Sequence, residues 1–446
     1  MDSAELNKDV TKTFLKYYDL LIEGKSGKLT KDEIEPPQRL NLVSYESLSK
    51  NRDDIQNKLA VIKLNGGLGT SMGLDKAKSL LQVKGELTFL DILSRQIIAL
   101  RNKKESQTPL IFMNSYNTRE DTLELLDKYD TLKVPNISLD FLQNKFPRVT
   151  RDEFAPLTLE DDKLNWNPPG HGDIYASLQS SGILDELLDN GFKYAFISNS
   201  DNLGAVVDPL ILTYMDDNEV PFIMEVCKRT EMDKKGGHLA QSKDGQLLLR
   251  EVAQCPEEEI AEFQDITKYS YFNTNNLWVN LEVLKEILEA NDNVMELPII
   301  INPKVVEDIP VYQIETAMGS AITVFENSKA IIVPRSRFAP VKKTNDLLLI
   351  WSDIYKLNKD YQIVLTEGLT NIPIVDLDPE YYKTVQQLKA RFKKVPSLME
   401  CSSFTVKGNG YFGPNVVIKG DVIIEASDKE RISDTIYNND TTSFLL

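Results

Sequence analysis

The sequence has few of the residues that build metal centres, disulfide frameworks and membrane spans. Its 446 residues include two histidines and three cysteines. The cysteines, Cys227, Cys255 and Cys401, are widely spaced and odd in number, which argues against disulfides and, with no Cys-x-x-Cys pair, against a structural zinc site. No apolar run reaches the roughly eighteen residues of a membrane span. The polar start "MDSAELNKDVTK" is unlike a secretory signal. We therefore expect a cytoplasmic protein that binds no membrane.

Positive charge is also scarce. The chain has 51 Lys and Arg against 68 Asp and Glu, which gives a formal net charge of −17. Nucleic-acid binding requires a basic surface, so this balance argues against DNA or RNA as a partner. An acidic protein can still bind phosphates, but only through a local cationic pocket.

From Leu59 onward, short apolar runs alternate with amphipathic segments. The predicted strands are "LAVIKL", "PLIFMNS", "NISLDFL", "YAFISNS" and "PFIMEV". The predicted helices between them are "FLDILSRQIIALRN", "TREDTLELLDKYD", "YASLQSSGILDELLDNG" and "DPLILTYMDDN". This alternation predicts an α/β fold with a largely parallel, doubly wound sheet, in which ligands bind at the carboxyl ends of the strands. Residues 1–50 have a charged helical pattern, and beyond about Pro340 the pattern turns to helices such as "TNDLLLIWSDIYKL" and "YYKTVQQLKARFKKV".

A six-residue period appears near the C-terminus, in "FTVKGNGYFGPNVVIKGDVIIE". The apolar positions are Val406, Phe412, Ile418 and Ile424. The turn-forming residues Gly408, Pro414 and Gly420 follow the first three of them in phase. The period predicts a left-handed parallel β-helix, with a pair of β-hairpins as the alternative. Because the period fades after Ile424, we expect a short β-helix of little more than one coil.

The stretch "KLNGGLGTSMG", Lys63 to Gly73, follows the first predicted strand and has four glycines in eleven residues. It matches neither the P-loop nor the Rossmann glycine pattern in full. Consecutive N–H groups at a strand-to-helix turn can nevertheless bind an anion, and Lys76 and Lys78 follow closely. On spacing alone, a phosphate-binding loop and a structural turn remain equal alternatives.

Nine segments in order extend this observation over about residues 40 to 425. They are "LNGGLGTSMG", "FLDI", "MNSYNT", "PPGHGDIYAS", "SNSDNLGA", "FNTNNLW", "IETAMGSAI", "IVPRSRFAPVK" and "TNDLLL". Together they resemble the eukaryotic-type UTP–glucose-1-phosphate uridylyltransferase family. The resemblance implies an α/β fold: a Rossmann-like nucleotidyltransferase domain with a mixed, mainly parallel sheet, plus a short C-terminal left-handed β-helix. The implied domains are a helical segment at 1–50, a catalytic domain at 51–340, and a C-terminal domain with helices and the β-helix at 341–446.

The reaction that this resemblance implies is uridylyl transfer. UTP and glucose 1-phosphate give UDP-glucose and pyrophosphate, with Mg²⁺ as cofactor. The attacking phosphate oxygen is already ionised at neutral pH, so no general base is needed. The site must instead position two polyanions and neutralise charge at the α-phosphorus, which calls for lysines, backbone amides and a metal ion.

The resemblance also implies roles for individual residues. It places the nucleotide on Leu64, Asn65, Gly66, Gly67, Gln143 and Gly170. Gln143 would read uracil, because an amide offers a donor and an acceptor together. Lys78 would contact the UTP phosphates as a catalytic lysine. Relatives usually have proline before that lysine, and here Ala77 stands there, which leaves the path of Lys78 in doubt.

The sugar-phosphate side is implied in the same way. Its residues would be His171, Asn199, Asn276, Glu315 and Thr316. Asp201 would bind the metal, because a carboxylate at a strand end near phosphates is a natural Mg²⁺ ligand; by itself it would more often be a turn or a helix cap. Lys342 would be the second catalytic lysine, with the adjacent Lys343 as the alternative.

Two other functions stay open from the sequence. One is a uridylyltransferase for another hexose 1-phosphate, such as galactose or N-acetylglucosamine 1-phosphate; the other is an inactive sugar-nucleotide sensor. Because the C-terminal period is short, we expect a monomer, with weak self-association through the apolar tail as the alternative.

Overall fold

The computed structural model describes residues 1, 6–25, 27–369, 371–438 and 443–444. The α-helices of these residues are α1 (Lys8–Ile22), α2 (Phe89–Lys104), α3 (Arg119–Leu126), α4 (Ile174–Ser180), α5 (Ile183–Asp189), α6 (Pro209–Asp217), α7 (Ile260–Phe263), α8 (Leu281–Ala290), α9 (Thr344–Trp351), α10 (Pro379–Tyr382) and α11 (Val385–Arg391). None of them is long and apolar enough to cross a membrane.

The strands of the first half of the chain are β1 (Ile34–Glu35), β2 (Leu42–Ser44), β3 (Leu59–Asn65), β4 (Gln82–Lys84), β5 (Leu87–Thr88), β6 (Leu110–Asn114), β7 (Asp140–Leu142), β8 (Phe146–Pro147), β9 (Val149–Thr150), β10 (Trp166–Asn167), β11 (Tyr194–Asn199) and β12 (Phe222–Lys228). Those that follow are β13 (His238–Ser242), β14 (Leu247–Arg250), β15 (Tyr271–Asn280), β16 (Ile299–Val306), β17 (Ile309–Thr316), β18 (Lys329–Ile332), β19 (Tyr355–Leu357), β20 (Ile363–Leu365), β21 (Ile374–Leu377), β22 (Ser397–Phe412), β23 (Val417–Ile432), β24 (Ile436–Tyr437) and β25 (Ser443–Phe444).

The main sheet has the order β2-β18-β12-β15-β11-β3-β6-β7, and β1, β13 and β14 join it beside β15. Neighbours in this row are parallel except at β15, which is antiparallel to both β11 and β12. The prediction of a mixed, mainly parallel α/β sheet is confirmed. The carboxyl ends of β3, β6, β11 and β12 therefore share one edge, which the amino-terminal part of β15 also reaches.

The strand β3 illustrates why the sheet is covered on both faces. All of its residues are buried, as expected for a central parallel strand with helices on either side. Ala60 and Ile62 pack in the core that includes residues of α4, α5 and α8. Leu59 and Val61 pack on the opposite face, in the core that includes residues of α2 and α6. Successive side chains point to opposite faces, so this one strand joins both cores.

Two predicted helices differ from the structure. The segment "YASLQSSGILDELLDNG" forms two helices, because Gly182 between them adopts a left-handed conformation with φ of +82°. The segment "TNDLLLIWSDIYKL" ends its helix at Trp351, where Ser352 is extended, and Tyr355–Leu357 pairs with β20 as a strand. The N-terminal segment is helical over Lys8–Ile22, and two short strands that follow join the main sheet.

The C-terminal sheet is a stack of parallel strands. β21 pairs with β22, β22 with β23, and β23 with β24 and β25, all in parallel. The hairpin alternative is therefore wrong, because hairpin strands are antiparallel. Phe404 lies opposite Val422, and Val406 lies opposite Ile424, an offset of 18 residues. The stack also continues beyond the predicted period, since β23 runs to Ile432, which is 3% exposed.

Candidate active site

The candidate residues of the nucleotide side lie along the edge where the parallel strands of the main sheet end. Leu64 and Asn65 are the last residues of β3, and Asn199 is the last residue of β11. Gln143 comes directly after β7, and Asp201 lies two residues after β11. The sheet topology thus brings together residues that are more than a hundred positions apart in the sequence.

Asn65 fixes the start of the glycine loop. Its amide donates to Asn114 Oδ1 and to Thr122 Oγ1, each at 2.8 Å. Its Oδ1 accepts a hydrogen bond from Ser200 Oγ at 3.0 Å, and the Leu64 carbonyl accepts one from the Ser200 N–H at 3.0 Å. The Asn65 side chain is fully used inside the protein, so what it offers a ligand is the position of the loop backbone.

Gln143, Gly66 and Gly170 meet at one point. The Gln143 Nε2 donates to the Gly170 carbonyl at 2.9 Å, and a Cβ placed on Gly66 would lie 3.1 Å from Gln143 Oε1. Gly170 has φ of +78°, and a Cβ there would lie 2.4 Å from the Thr316 carbonyl oxygen. Neither conformation nor space allows a side chain at Gly170. Gln143 itself is 8% exposed, so its amide is largely shielded from water.

Lys78 reaches across the site to Asp201. Its Nζ lies 2.5 Å from Asp201 Oδ2, and its backbone N–H donates to the Gly67 carbonyl at 3.0 Å. Ala77, with φ of −51°, falls in the range that proline occupies, and its N–H donates to Asp121 Oδ2 at 3.1 Å. This backbone hydrogen bond holds Ala77, and the Gly67 contact holds Lys78, so the direction of Lys78 is defined.

Asp201 also fits a divalent metal ion. One oxygen pairs with Lys78, while the other, Oδ1, is buried and has no hydrogen-bond partner. In the described part of the chain, no group of three His, Cys, Asp or Glu side chains could enclose a metal. Mg²⁺ commonly binds through one or two carboxylates, with substrate phosphates and water completing its shell. The single carboxylate with a free oxygen suits that ion better than a metal that needs an all-protein cage.

His171 is neutral in this setting. Its Nδ1 accepts a hydrogen bond from the Met318 N–H at 2.9 Å, so the ring proton is on Nε2. Burial, together with the nearby Lys342 charge, lowers the pKa of His171 to about 4. The ring can therefore donate one hydrogen bond from Nε2 to an anionic ligand at neutral pH.

Lys342 lies in the segment that is bonded to Asp201 and Asp346. It is exposed, and its positive charge contributes to the lowered pKa of His171. The backbone N–H groups of Lys342 and Lys343 both donate to Asp346 Oδ2 at 2.8 Å. One residue earlier, the Val341 N–H donates to the Asp201 carbonyl at 3.1 Å. The segment that carries Lys342 is thus held directly against the segment that carries Asp201.

The sugar-side residues fall into two groups. Glu315 and Thr316 end β17, and the Thr316 N–H donates to the Pro169 carbonyl at 2.8 Å, next to Gly170. Burial raises the pKa of Glu315. Asn199, the last residue of β11, is half-buried.

Asn276 lies in a different environment. It is fully buried, and its Nδ2 donates to Glu225 Oε2 at 3.0 Å and to the Arg337 carbonyl at 3.2 Å. Its Oδ1 accepts a hydrogen bond from Asn202 Nδ2 at 3.1 Å. Its side chain is occupied by the protein, and its backbone N–H donates to Thr274 Oγ1 at 3.3 Å.

The network around Asn276 includes residues that the sequence analysis missed. Glu225, 0% exposed, accepts hydrogen bonds from Arg337 Nε at 2.7 Å and from Trp278 Nε1 at 2.9 Å. Arg337 is also buried, and its pairing with Glu225 raises its pKa against the opposing effect of burial. The sequence signal that could have indicated this network was Glu225, a glutamate inside the otherwise apolar strand "PFIMEV". Burial, followed by the charge of Arg337, lowers the pKa of Lys63 to about 7.

Comparison with known proteins gives consistent results. One family model, described as UTP–glucose-1-phosphate uridylyltransferase, matches residues 11–419. The UTP–glucose-1-phosphate uridylyltransferase of Musa acuminata is 42% identical over 447 residues, which cover 97% of this chain and 94% of that protein. UTP–glucose-1-phosphate uridylyltransferase 2 of Dictyostelium discoideum is 41% identical over 438 residues, with 96% and 85% covered. A mutant UDP-glucose pyrophosphorylase of Leishmania major, in complex with UDP-glucose, matches with a TM-score of 0.92 and 41% identity, covering 98% and 96% of the chains.

Proposed function

The chain belongs to the UTP–glucose-1-phosphate uridylyltransferase family and converts UTP and glucose 1-phosphate into UDP-glucose and pyrophosphate, and we propose how the site carries out this reaction. The glucose 1-phosphate oxygen attacks the α-phosphorus of UTP directly, and pyrophosphate leaves from the opposite side. A P–O bond forms as another breaks, with no covalent enzyme intermediate.

UTP binds along the edge of β3. The backbone of Leu64, Asn65, Gly66 and Gly67 lies under the nucleotide. Gln143 reads uracil, its amide matching the N3–H and carbonyls of the base, and the Gly170 backbone meets the base from the other side. The support for this assignment is that Gln143 Nε2 and the Gly170 carbonyl are 2.9 Å apart and that Gly66 is close to Gln143 Oε1.

Lys78 and Lys342 neutralise the transferring phosphates from two sides. Lys78 pairs with Asp201 at 2.5 Å, and in the proposed complex the UTP phosphates share this contact. Lys342 is exposed and held near Asp201 by the Val341–Asp201 backbone hydrogen bond. His171 donates its Nε2–H to the phosphate of the sugar. None of these groups has to remove a proton from the nucleophile, so their contribution is positioning and charge stabilisation.

Asp201 would hold Mg²⁺ through its free oxygen. The bound ion would supply positive charge beside the phosphates. Glucose contacts are assigned to Asn199, Asn276, Glu315 and Thr316. The side chain of Asn276 is held by Glu225 and by the Arg337 carbonyl, so Asn276 contributes by positioning its strand.

The observation that carries this proposal is the pairing of Lys78, which follows the glycine loop after β3, with Asp201, which follows the neighbouring strand β11. Its test is the stereochemistry at the α-phosphorus, followed with UTP that carries sulfur on that phosphorus. Direct attack inverts the configuration. Retention would require an enzyme-bound uridylyl intermediate and would contradict the proposed step.

Three further proposals concern the whole protein. The C-terminal parallel stack is a left-handed β-helix, supported by the 18-residue offset of its strands, which equals one coil. The protein is a monomer. Light scattering at micromolar concentration tests this, and a stable oligomer would contradict it. A cytoplasmic location is supported by three cysteines without disulfides and is tested by fractionating cells.

A further inference from the structure

Asp173 is a buried carboxylate that the proposed reaction does not use. It ends the 3-10 turn His171–Asp173 and directly precedes α4. An aspartate at this position usually accepts hydrogen bonds from the first N–H groups of its own helix. The Asp173 side chain makes no such bond, although it is only 4% exposed.

The carboxylate instead binds Asn144, the neighbour of Gln143. Asp173 Oδ2 accepts a hydrogen bond from the Asn144 N–H at 2.7 Å, and Oδ1 accepts one from Asn144 Nδ2 at 2.9 Å. The hydroxyl of Ser177, one turn along α4, donates to Oδ2 at 2.6 Å. These bonds fix both the backbone and the side chain of Asn144, and thereby the point from which the Gln143 side chain extends.

Asp173 is also tied to the other half of the uracil contact. Its backbone N–H and the Gln143 Nε2 donate to the same acceptor, the Gly170 carbonyl, at 3.3 and 2.9 Å. The side chain of Asp173 thus holds the Gln143 segment, while its backbone holds Gly170. A single residue sets the spacing between the two groups that face the base.

This arrangement is unfavourable for stability alone. In the described part of the chain no basic side chain neutralises Asp173, and burial raises its pKa to about 6. Burying a carboxylate without a cation is costly, and a neutral side chain could join two segments at lower cost. The geometry is better explained by a need for acceptors at both Oδ1 and Oδ2, which a neutral amide lacks.

We infer that Asp173 is a positioning residue for base selectivity, holding the Gln143 amide and the Gly170 carbonyl at the separation that accepts uracil and rejects cytosine. The inference rests on the proposed function, because it requires that Gln143 and Gly170 contact the base. Cytosine presents a donor where uracil presents an acceptor, so selectivity depends on an amide that cannot rotate or shift.

The test is the ratio of kcat/KM for UTP to that for CTP, with glucose 1-phosphate as the acceptor. This ratio does not depend on the fraction of folded enzyme, so a loss of stability alone leaves it unchanged. Asp173→Asn is expected to lower the ratio at least tenfold, mainly because the KM for UTP rises relative to the KM for CTP. The matched control is Asp91→Asn, which removes an equally buried carboxylate, also 4% exposed, at the start of α2. Its melting temperature is expected to fall while its ratio stays at the wild-type value.

A second variant keeps the test decisive if Asp173→Asn does not fold. Asn144→Ala removes one of the donors to Asp173 and leaves the carboxylate in place, and we expect its ratio to fall about threefold. If a variant folds and keeps the wild-type ratio of kcat/KM for UTP to that for CTP, the inference is overturned. A wild-type enzyme that uses UTP and CTP equally would contradict the proposed uracil site as well, which separates that failure from this one.

Discussion

Replacing Asp201 by asparagine tests the electrostatic core of the proposed mechanism. The change removes the negative charge 2.5 Å from Lys78 Nζ and replaces the carboxylate whose free Oδ1 is available to a metal ion. Losing one preorganised charged group at a phosphoryl centre lowers turnover by about 10²–10³, or roughly 3–4 kcal/mol in the transition state. Turnover is measured as pyrophosphate release at saturating UTP, glucose 1-phosphate and Mg²⁺.

The same substitution lowers stability without unfolding the protein. The side chains of Lys78 and Asp201 are 15% and 20% exposed, so Lys78 retains some water after the pair is broken. We expect a loss of about 1–3 kcal/mol in the free energy of unfolding, the usual cost of a polar group left without its partner. The variant remains folded, and its far-UV circular dichroism matches that of the wild type.

Asp360→Asn is the matched control for this prediction. Asp360 pairs with Lys103 at 2.9 Å, and its side chain is 25% exposed, close to the value for Asp201. This variant should lose a comparable or smaller amount of stability and keep wild-type turnover. The reasoning is refuted if folded Asp201→Asn retains turnover within about threefold of wild type, or if Asp360→Asn loses as much turnover as Asp201→Asn.

Three more predictions follow from the same site. Lys342→Ala lowers turnover by about 10²–10³ whereas Lys343→Ala changes it less than about threefold, and equal losses in a steady-state assay would contradict the assignment. Glu225→Gln breaks the buried pair with Arg337 and lowers the free energy of unfolding by about 3–5 kcal/mol in urea titrations, so a loss below 1 kcal/mol would argue against the network. His171 has a pKa of about 4 in the folded protein against about 6.5 unfolded, so its stabilising contribution is complete above pH 6.5 and disappears as the pH falls towards 4. Between pH 7 and 4.5 the wild type should lose about 2–3 kcal/mol more than His171→Asn in urea unfolding, and identical losses would contradict the lowered pKa.

The sequence predicted the central sheet because its strands carry strong local signals. "LAVIKL" and "YAFISNS" are apolar runs of strand length, and the structure places strands over Leu59–Asn65 and Tyr194–Asn199. The pairing of Lys78 with Asp201 was within reach of the sequence for a related reason. Each residue follows a strand of the same parallel sheet, so their segments had to share an edge.

Other features depended on contacts that no local pattern encodes. The helix break at Gly182 needed a left-handed backbone, and helical periodicity on both sides concealed it. Asn276 was predicted as a sugar contact from its motif, while the structure uses its side chain to join Glu225 and Arg337. A polar residue in a strand looks the same in a sequence whether it faces a ligand or a buried carboxylate.

The C-terminal stack shows a third limit. The six-residue period marks only those positions where an apolar side chain points inward. Beyond Ile424 the residues are mostly polar, yet β23 continues, and Ile432 and Tyr437 are buried. Parallel pairing with the preceding coil extends the strands through backbone hydrogen bonds, which any side chain permits.

The most direct test of the central claim is pyrophosphate release by the purified protein, with UTP and three alternative sugar phosphates. Glucose 1-phosphate, galactose 1-phosphate and N-acetylglucosamine 1-phosphate are each titrated under the same conditions. Our account predicts the highest kcat/KM with glucose 1-phosphate and formation of UDP-glucose in equal amount to pyrophosphate. A folded protein that binds UDP-glucose but releases no pyrophosphate, or one that prefers either of the other sugars, would contradict it.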